Sequence, residues 1–492
     1  MTKVAVIGSG FSGLSAACFL AKEGCHVTVF EKNGSPGGRA RKFEVDGYVF
    51  DMGPSWYWMP DVFEKFFKAF GKELSDYYTL KRLDPSYRVY FAENDWLDLP
   101  ANLDELKSLF ESIEPGSAKQ LQKFLAESAY KYEVGINDLV YKPGLSLTEL
   151  LDMRLAKGLL RMHVLQSIST YVRKHFKNEK LIQLLEFPVL FLGAKPSKTP
   201  ALYSLMNYAD MTLGTWYPEG GMHKIVEAMV SVAESLGVKF QYNHTVEAIE
   251  VKDNKASALK IKGQSFVFDY IIAGADYHHV EQQLLPKSHR KYSPEYWDKR
   301  VMAPGSLIFY LGINTELKNL LHHNLFFDKD FTKHAQEIYD EPQWPSDPLF
   351  YVCCTSKSDN TAAPAGHENV FILIPTAPGL QDEEATREKY YKMVMERLEK
   401  LTGQEIRSKV VYKRAFAHND FIGDYNSFKG NAYGLANTLL QTANLKPSIQ
   451  NKKVKNLLYT GQLTVPGPGV PPSIISGQVV ARELIKKIKR KP

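Results

Sequence analysis

The sequence predicts an α/β protein in which a domain built on a parallel sheet is assembled from separate stretches of chain. An α+β domain occupies the intervals between those stretches. Three observations predict this arrangement: a strand, a glycine-rich turn and a helix at residues 4–24, a helix and strands at 216–276, and a further strand–turn–helix unit at 457–489. Alternating strands and helices of this kind are typical of parallel sheets covered by helices.

The composition indicates a folded protein without a nucleic-acid partner. The 492 residues allow roughly two to four domains. With 44% hydrophobic and 24% charged residues, the chain can bury a large core, and disorder is excluded for most of it. The net charge of +6 is small, and no zinc-finger or helix-turn-helix pattern occurs, so nucleic acid is not expected.

The cysteines and the apolar segments bear on location. None of the four cysteines forms a C-x-x-C pair, which favours a reducing cytoplasm. The most apolar segment, residues 181–194, contains Gln183, Glu186 and Pro188 and is shorter than the ~20 residues that a membrane-spanning helix needs. We therefore expect no transmembrane helix.

The first stretch has the pattern of a Rossmann-like nucleotide site. Residues 4–7 predict a buried strand, and Gly8, Gly10 and Gly13 follow in G-x-G-x-x-G register, with Phe11 and Ser12 between them. The first glycine permits a tight turn, the second lets the backbone approach a pyrophosphate, and the third allows close packing of helix on strand. The amino terminus of the helix then faces the phosphates.

An acidic residue completes this motif. Glu31 ends the second predicted strand, with Lys32 after it, and a carboxylate there accepts hydrogen bonds from ribose hydroxyls. Because a glutamate repels a 2′-phosphate, NADP is disfavoured. The strand, helix, strand and acid together predict a dinucleotide site.

The segment Gly37-Gly38-Arg39 indicates which dinucleotide is bound. Here the chain resembles the flavoproteins that include amine oxidases and carotenoid desaturases, and this resemblance implies FAD, with Gly38 and Arg39 against its phosphates. From the residues alone, a surface turn with a solvated arginine remains open.

Two later blocks resemble the segments that complete the FAD domain in those flavoproteins. In the block 216–251, a helix is predicted from Met222 to Leu236, and the resemblance implies backbone contacts between Val246 and the adenine. The block 457–489 predicts a strand ending at Gly461, a stiff loop VPGPGVPP and a helix containing Ile474. The amino terminus of that helix is expected beside the N1–C2=O edge of the flavin.

These blocks divide the chain into two predicted domains. The FAD-binding domain is discontinuous and comprises residues 1–95, 215–285 and 451–492. The substrate domain comprises 96–214 and 286–450, of which 136–200 is helical and predicted to associate with the membrane.

The stretch DMGPSWYWMP, residues 51–60, narrows the resemblance. Together with GSGFSGLSAA, GGRA, WYPEGGMHKI and PGPGVPPSIISG, it is similar to bacterial carotenoid desaturases of the phytoene-desaturase type. The resemblance implies that Gly53, Pro54 and Ser55 contact FAD. The four residues that follow are expected to wall a channel for a long apolar carotenoid, although ordinary core packing remains open for each of them: Trp56, Tyr57, Trp58 and Met59.

The sequence identifies neither a catalytic residue nor a metal site. The pairs His278-His279 and His322-His323 lack the spacing of ligands on a helix, so no metal is predicted. The closing loop, TGQLTVPGPGVPP, departs from the family pattern G-A-G-T-H-P-G-A-G-I-P at Gln462, Leu463 and Val465.

A carotenoid stored in the bilayer requires an enzyme that docks there. Residues 147–177 predict an amphipathic helix with a leucine face and a basic stripe, and the carboxyl end KKIKRKP is basic. A packed helix with a solvated edge remains the alternative. We expect a cytoplasmic protein peripherally bound to the inner face of the cell membrane, with oxygen or a quinone as electron acceptor and with homo-oligomers allowed.

The resemblance implies an FAD-dependent oxidoreductase acting on CH–CH groups, which converts phytoene to lycopene by successive desaturations in carotenoid biosynthesis. Alternatives within the family are a hydroxycarotenoid 3,4-desaturase, a C30 desaturase and a retinol saturase. More distant alternatives are a flavin amine oxidase and a non-enzymatic prenyl-binding chaperone. Residues 457–480 lack the cysteine or tryptophan usual in amine oxidases, and a chaperone needs no Glu31 beside Gly-Gly-Arg.

Overall fold

The computed structural model describes residues 1–146, 149 and 166–490. Its first sheet, here the nucleotide sheet, is parallel, and its strands in order are Leu457–Tyr459, Tyr270–Ala273, Lys3–Ile7, His26–Phe30 and Lys239–Gln241. These strands come from all three stretches predicted for the FAD domain. The central strand is buried except for Lys3, as apolar runs in parallel sheets are. The predicted α/β class is confirmed.

Three helices cover the nucleotide sheet: Phe11–Lys22, His223–Ser235 and Val470–Lys489. The first and last approach so closely that a Cβ on Gly477 would lie 2.3 Å from the Ser12 carbonyl oxygen. The predicted loop VPGPGVPP is shorter than expected, because the helix already begins at Val470. The following prolines fit its first turn, where the backbone N–H groups have no helical partner.

A second, seven-stranded sheet forms the core of the other half. Its strands in order are Val410–Phe416, Gly305–Ile313, Glu368–Thr376, Phe350–Cys353, His323–Phe326, Tyr87–Ala92 and Asp95–Leu99. All neighbours are antiparallel except His323–Phe326 and Tyr87–Ala92. The helix Glu384–Thr402 buries its apolar side with one face of this sheet. The domain boundary predicted at residue 95 thus falls at the second strand of a hairpin that belongs to this sheet.

Helices make up most of the described part of residues 96–214, as the sequence predicts. They are Leu103–Ile113, Ser117–Val134, Ile168–His175, Glu179–Glu186 and Leu205–Met211. The predicted amphipathic segment lies largely outside the described residues. Among the described helices, none is long and apolar enough to cross a membrane.

Smaller elements connect these units. The hairpin Lys42–Val45 with Tyr48–Asp51 follows the Gly-Gly-Arg turn, and Leu80–Arg82 pairs with Trp216–Pro218. A three-stranded sheet consists of Val246–Lys252, Lys255–Ile261 and Gln264–Phe266. The remaining short helices include Pro60–Lys68, Pro294–Asp298, Phe331–Tyr339 and His418–Tyr425.

Candidate active site

The glycine turn lies at the carboxyl edge of the nucleotide sheet. Gly8 has a φ of +94°, which favours glycine, and its N–H donates to the Phe30 carbonyl at 2.8 Å. A Cβ on Gly13 would lie 2.1 Å from the Gly8 oxygen, so this glycine is required by packing. The helix that follows has no side-chain cap at Gly10, which leaves its first N–H groups for a ligand in the cleft.

Glu31 is held rigidly beside this turn. The carboxylate is buried and accepts hydrogen bonds from the Ser9 backbone N–H at 2.9 Å and the Ser9 hydroxyl at 2.8 Å. Its other oxygen accepts from the Asn33 N–H at 2.9 Å. Oε1 accepts only one of these bonds and has a further lone pair, so the side chain is oriented and can still accept a ribose hydroxyl.

Arg39 lies on the opposite wall of the cleft. One guanidinium nitrogen, Nη2, donates to the Ser427 hydroxyl at 3.1 Å and the Asn431 carbonyl at 3.3 Å, and the group stacks over Tyr425 at 5.2 Å. The buried Nε atom has no hydrogen-bond partner among the described residues. Arg39 is therefore enclosed and not a solvated surface arginine, and its unpaired donor suits an anion such as a pyrophosphate.

The stretch from Gly53 to Met59 passes next to this arginine. A Cβ on Gly53 would lie 2.5 Å from the Arg39 carbonyl oxygen, so the two backbones touch. Ser55 accepts a hydrogen bond from the Tyr351 hydroxyl at 3.0 Å. Trp56 stacks on His323 with ring centroids 4.0 Å apart, and the Trp58 indole donates to the Thr215 hydroxyl at 2.8 Å. These contacts fix large apolar groups on the cleft wall.

Tyr57 does not belong to this wall. Its ring stacks on Phe63 at 4.3 Å, and its hydroxyl lies 3.0 Å from that of Tyr78, away from the cleft. The prediction that Tyr57 lines the channel is wrong, because in this extended stretch its side chain points to the side opposite to those of Trp56 and Trp58. The cleft lining includes the other three predicted channel residues, Trp56, Trp58 and Met59.

The cleft has a volume of about 360 Å³ and extends from the nucleotide sheet to the seven-stranded sheet. Its lining contains most of the predicted cofactor residues: Gly8, Gly10, Phe11, Ser12, Glu31, Lys32, Gly38, Arg39, Gly53, Pro54, Ser55, Val246 and Gly461. Gly13 and Ile474 are not on its surface. Gly13 packs behind the turn, and the Ile474 carbonyl accepts from the Ser15 hydroxyl at 2.7 Å, which joins two helices.

The cleft wall also contains residues that were not predicted from the sequence. Asp276 follows a buried parallel strand, and a polar residue at that position could have been recognised as a ligand candidate. Burial raises the pKa of Asp276, although backbone N–H groups and Arg39 act against the shift. No sequence signal points to Tyr425, Met206, Ile308 or Leu373, which reach the cleft from elements distant in the chain.

The residues present fit FAD. An uncapped helix terminus, an unpaired buried guanidinium nitrogen and an oriented glutamate match the pyrophosphate and ribose. The far half of the cleft is apolar, which suits a flavin ring and a hydrocarbon. Gly8, Gly10, Glu31 and Arg39 would hold the nucleotide part, and the cofactor would supply hydride acceptance.

A buried histidine pair lies behind Trp56. Ligand atoms of His322, His323 and Cys353 all lie within 4.8 Å of one another. Burial lowers the pKa of His322 to about 3, and neither of its ring nitrogens has a partner among the described residues. Histidine spacing along the sequence does not reveal Cys353, which strand pairing places opposite His323. The absence of a metal therefore stays a prediction.

Comparison with known proteins agrees with the geometry. Residues 11–485 match the family model "Flavin containing amine oxidoreductase". Solved structures with the same fold include an oxidoreductase from Methanosarcina mazei, with a TM-score of 0.63 and 15% identity over 98% of this chain and 100% of that one. Putrescine oxidase bound to putrescine has a TM-score of 0.61 and 14% identity, with 99% of both chains covered. The chain belongs to the flavin-containing amine oxidoreductase family and is an FAD-dependent oxidoreductase.

The curated relatives specify the branch of that family. The carotenoid 3,4-desaturase of Haloarcula japonica is 41% identical over 486 residues, which cover 99% of this chain and 98% of the relative. The 4,4'-diapophytoene desaturase (4,4'-diaponeurosporene-forming) of Staphylococcus aureus strain Newman is 32% identical over 501 residues, with 99% of both chains covered. The predicted resemblance to carotenoid desaturases is confirmed.

Proposed function

We propose that this protein is a carotenoid desaturase that introduces a double bond at the 3,4 position of a long polyene. The carotenoid 3,4-desaturase relative, at 41% identity, supports this reaction more strongly than the diapophytoene desaturase at 32%. The conversion of phytoene to lycopene, our main prediction from sequence, is less well supported than its 3,4-desaturase alternative. A flavin amine oxidase is a weaker candidate, because the putrescine oxidase structure at 14% identity supports only the fold.

The observation that supports the proposal is the apolar far half of the cleft. Trp58, Met206, Ile308 and Leu373 line it and come from four different elements. A hydrocarbon substrate can be held only through apolar contact, at about 25 cal/mol for each Å² removed from water. A wall of rigid and branched side chains opposite a polar nucleotide site meets this need.

The chain itself positions the substrate and excludes water. Trp58 is fixed by the Thr215 hydroxyl, which in turn donates to Asp210 at 3.1 Å. Hydride acceptance would be the chemistry supplied by FAD held at Gly8, Gly10, Glu31 and Arg39. The Glu149 carboxylate accepts hydrogen bonds from the Gly144, Leu145 and Ser146 N–H groups and thus stabilises a turn.

Product analysis tests the reaction. FAD-loaded protein would be incubated separately with a hydroxylated acyclic C40 carotenoid, phytoene and 4,4'-diapophytoene, and products would be identified by chromatography and mass spectrometry. We expect the hydroxylated C40 substrate to lose two hydrogens and its absorption to shift to longer wavelength. Faster turnover of phytoene, with lycopene as product, would restore the earlier prediction. Repeating the assay without oxygen but with a quinone tests the two proposed electron acceptors.

We also propose peripheral binding to the inner face of the cell membrane. Leu440, Leu445 and Leu145 are 76%, 54% and 40% exposed. Their two segments touch, because the Asn444 amide donates to the Ser146 carbonyl at 2.6 Å. Exposed leucines on contacting segments favour insertion into a lipid headgroup layer.

Flotation with anionic liposomes tests this docking. The double variant Leu440→Ser with Leu445→Ser should lose most of its lipid-bound fraction. A matched control is Val411→Ser, because Val411 is 56% exposed on the seven-stranded sheet and should leave binding unchanged. Wild-type protein that remains wholly in the soluble fraction would contradict the proposal.

A further inference from the structure

A second cavity adjoins the cleft on the seven-stranded sheet. It has a volume of about 70 Å³ and lies beneath the helix Phe331–Tyr339. Its lining is largely apolar and includes Phe327, Phe331, Ile338 and Leu349. We refer to it as the end pocket.

The end pocket and the cleft share part of their walls. Tyr351, Leu373 and Tyr433 line both cavities. Only side chains therefore separate them, and a chain-like molecule in the cleft could extend into the end pocket by displacing these groups slightly. The cavity is much smaller than the cleft, so it accommodates a small branched end group and no long extension.

One polar atom in the end pocket has no partner. The Tyr339 hydroxyl is buried, and among the described residues none lies within hydrogen-bond distance of it. By contrast, His334 is fully engaged: its Nε2 lies 3.0 Å from the Pro375 carbonyl, and its Nδ1 accepts from the Leu349 N–H at 3.0 Å. Burial raises the pKa of Tyr339, so its phenol stays protonated and can donate. A buried hydroxyl without a partner is costly, and this one belongs to a residue that lines a cavity, where a ligand could accept its hydrogen bond.

We propose that the end pocket receives the terminal group of the carotenoid and that the Tyr339 hydroxyl hydrogen-bonds to an oxygen on that group. This inference rests on the proposed 3,4-desaturation. Carbons 3 and 4 lie close to the end of the chain, so only a short terminal fragment extends past the reacting bond. A small pocket beside the cleft matches that fragment, whereas desaturation near the middle of a polyene would require a long tunnel on both sides.

The ligand class is therefore an acyclic carotenoid with a hydroxyl or keto oxygen on its end group. A site built to hydrogen-bond such an oxygen discriminates against the analogue without it, because its own polar group is then left unpaired. Tyr339 is a specificity-determining residue in this account and takes no part in hydride transfer.

Equilibrium binding tests the inference without depending on turnover. Polyenes quench tryptophan fluorescence, and Trp56 and Trp58 lie on the cleft wall, so quenching reports carotenoid binding. In detergent, the Kd would be measured for two carotenoids that differ only in an end-group hydroxyl. In wild type, the hydroxylated ligand should bind about tenfold more tightly or better. Tyr339→Phe should remove this preference and leave the affinity for the hydrocarbon unchanged.

A control variant separates end-group recognition from structural effects. Tyr390→Phe also removes one buried hydroxyl, which donates to the Pro345 carbonyl at 2.6 Å on the opposite side of the sheet. It should keep the wild-type preference. If Tyr339→Phe weakens both ligands equally, or if wild type shows no preference, the inference is overturned. Failure of the reaction itself appears separately, as the absence of a 3,4-desaturated product from a carotenoid that binds.

Discussion

The substitution Gly10→Ala should weaken FAD binding without unfolding the protein. Gly10 has φ −70° and ψ 173°, a conformation that alanine adopts freely. A Cβ at this position would meet no atom of the described residues within 4 Å, and Gly10 lines the cleft. The added methyl group therefore occupies space that the pyrophosphate requires and does not clash with the fold.

The expected size of the effect follows from overpacking. Inserting a methyl group into a close contact costs about 1–3 kcal/mol. If this cost falls wholly on the bound state, the Kd for FAD rises about 5- to 150-fold. The apoprotein should melt at the wild-type temperature, because no contact of the fold changes.

The assay combines an FAD titration, followed by flavin fluorescence, with thermal denaturation of the apoprotein. Two glycine variants serve as controls. Gly13→Ala should destabilise the apoprotein, because its Cβ would lie 2.1 Å from the Gly8 oxygen. At Gly24, which has a φ of +83°, a Cβ would meet no atom of the described residues within 4 Å. Gly24→Ala should therefore lower the free energy of unfolding by about 1–2 kcal/mol through backbone strain and leave the affinity for FAD unchanged. Wild-type FAD affinity in Gly10→Ala would refute the reasoning.

Three further predictions follow from other contacts. Arg39→Met should weaken FAD binding by about tenfold or more in the same titration, because it removes the enclosed cation whose Nε has no partner in the part of the chain that the structure describes; unchanged affinity would place the phosphates elsewhere. Gly477→Ala should lower the melting temperature by several degrees, since its Cβ would lie 2.3 Å from the Ser12 oxygen; an unchanged melting temperature would contradict the close helix contact. Burial raises the pKa of Asp210 from 3.8 to about 7, so its contribution to stability is present below pH 4 and lost as the pH rises to 7. The variant Asp210→Asn cannot ionise at this position. Between pH 4 and pH 7, its free energy of unfolding in urea should therefore rise relative to that of wild type by up to about 4 kcal/mol. A difference that does not change with pH would contradict the raised pKa.

Much of the nucleotide half of the cleft could be predicted from short-range pattern. The G-x-G-x-x-G turn, Glu31 and Gly-Gly-Arg lie within the first forty residues, and each depends on backbone geometry that local sequence dictates. For the same reason, the strand predicted at residues 4–7 and the helix predicted from Met222 to Leu236 are present as Lys3–Ile7 and His223–Ser235.

The apolar half could not be predicted in the same way. The stretch Trp56-Tyr57-Trp58 looks equally apolar throughout, yet its middle ring packs on Phe63 while its neighbours face the cleft. Alternation along an extended segment gives two possible sides, and only the elements packed against it decide which side is the cleft. The end pocket depends in the same way on how the helix Phe331–Tyr339 covers the sheet.

By itself, the amino-acid sequence determined the α/β class, the FAD site and the resemblance to carotenoid desaturases, because these depend on motifs whose residues are neighbours in the chain. The tertiary structure alone decided which side chains form the cleft wall, how Arg39 is enclosed by Ser427 and Asn431, and where the unpaired Tyr339 hydroxyl lies. These are contacts between residues hundreds of positions apart, or between elements from different sheets. Only the packing of the whole chain brings them together.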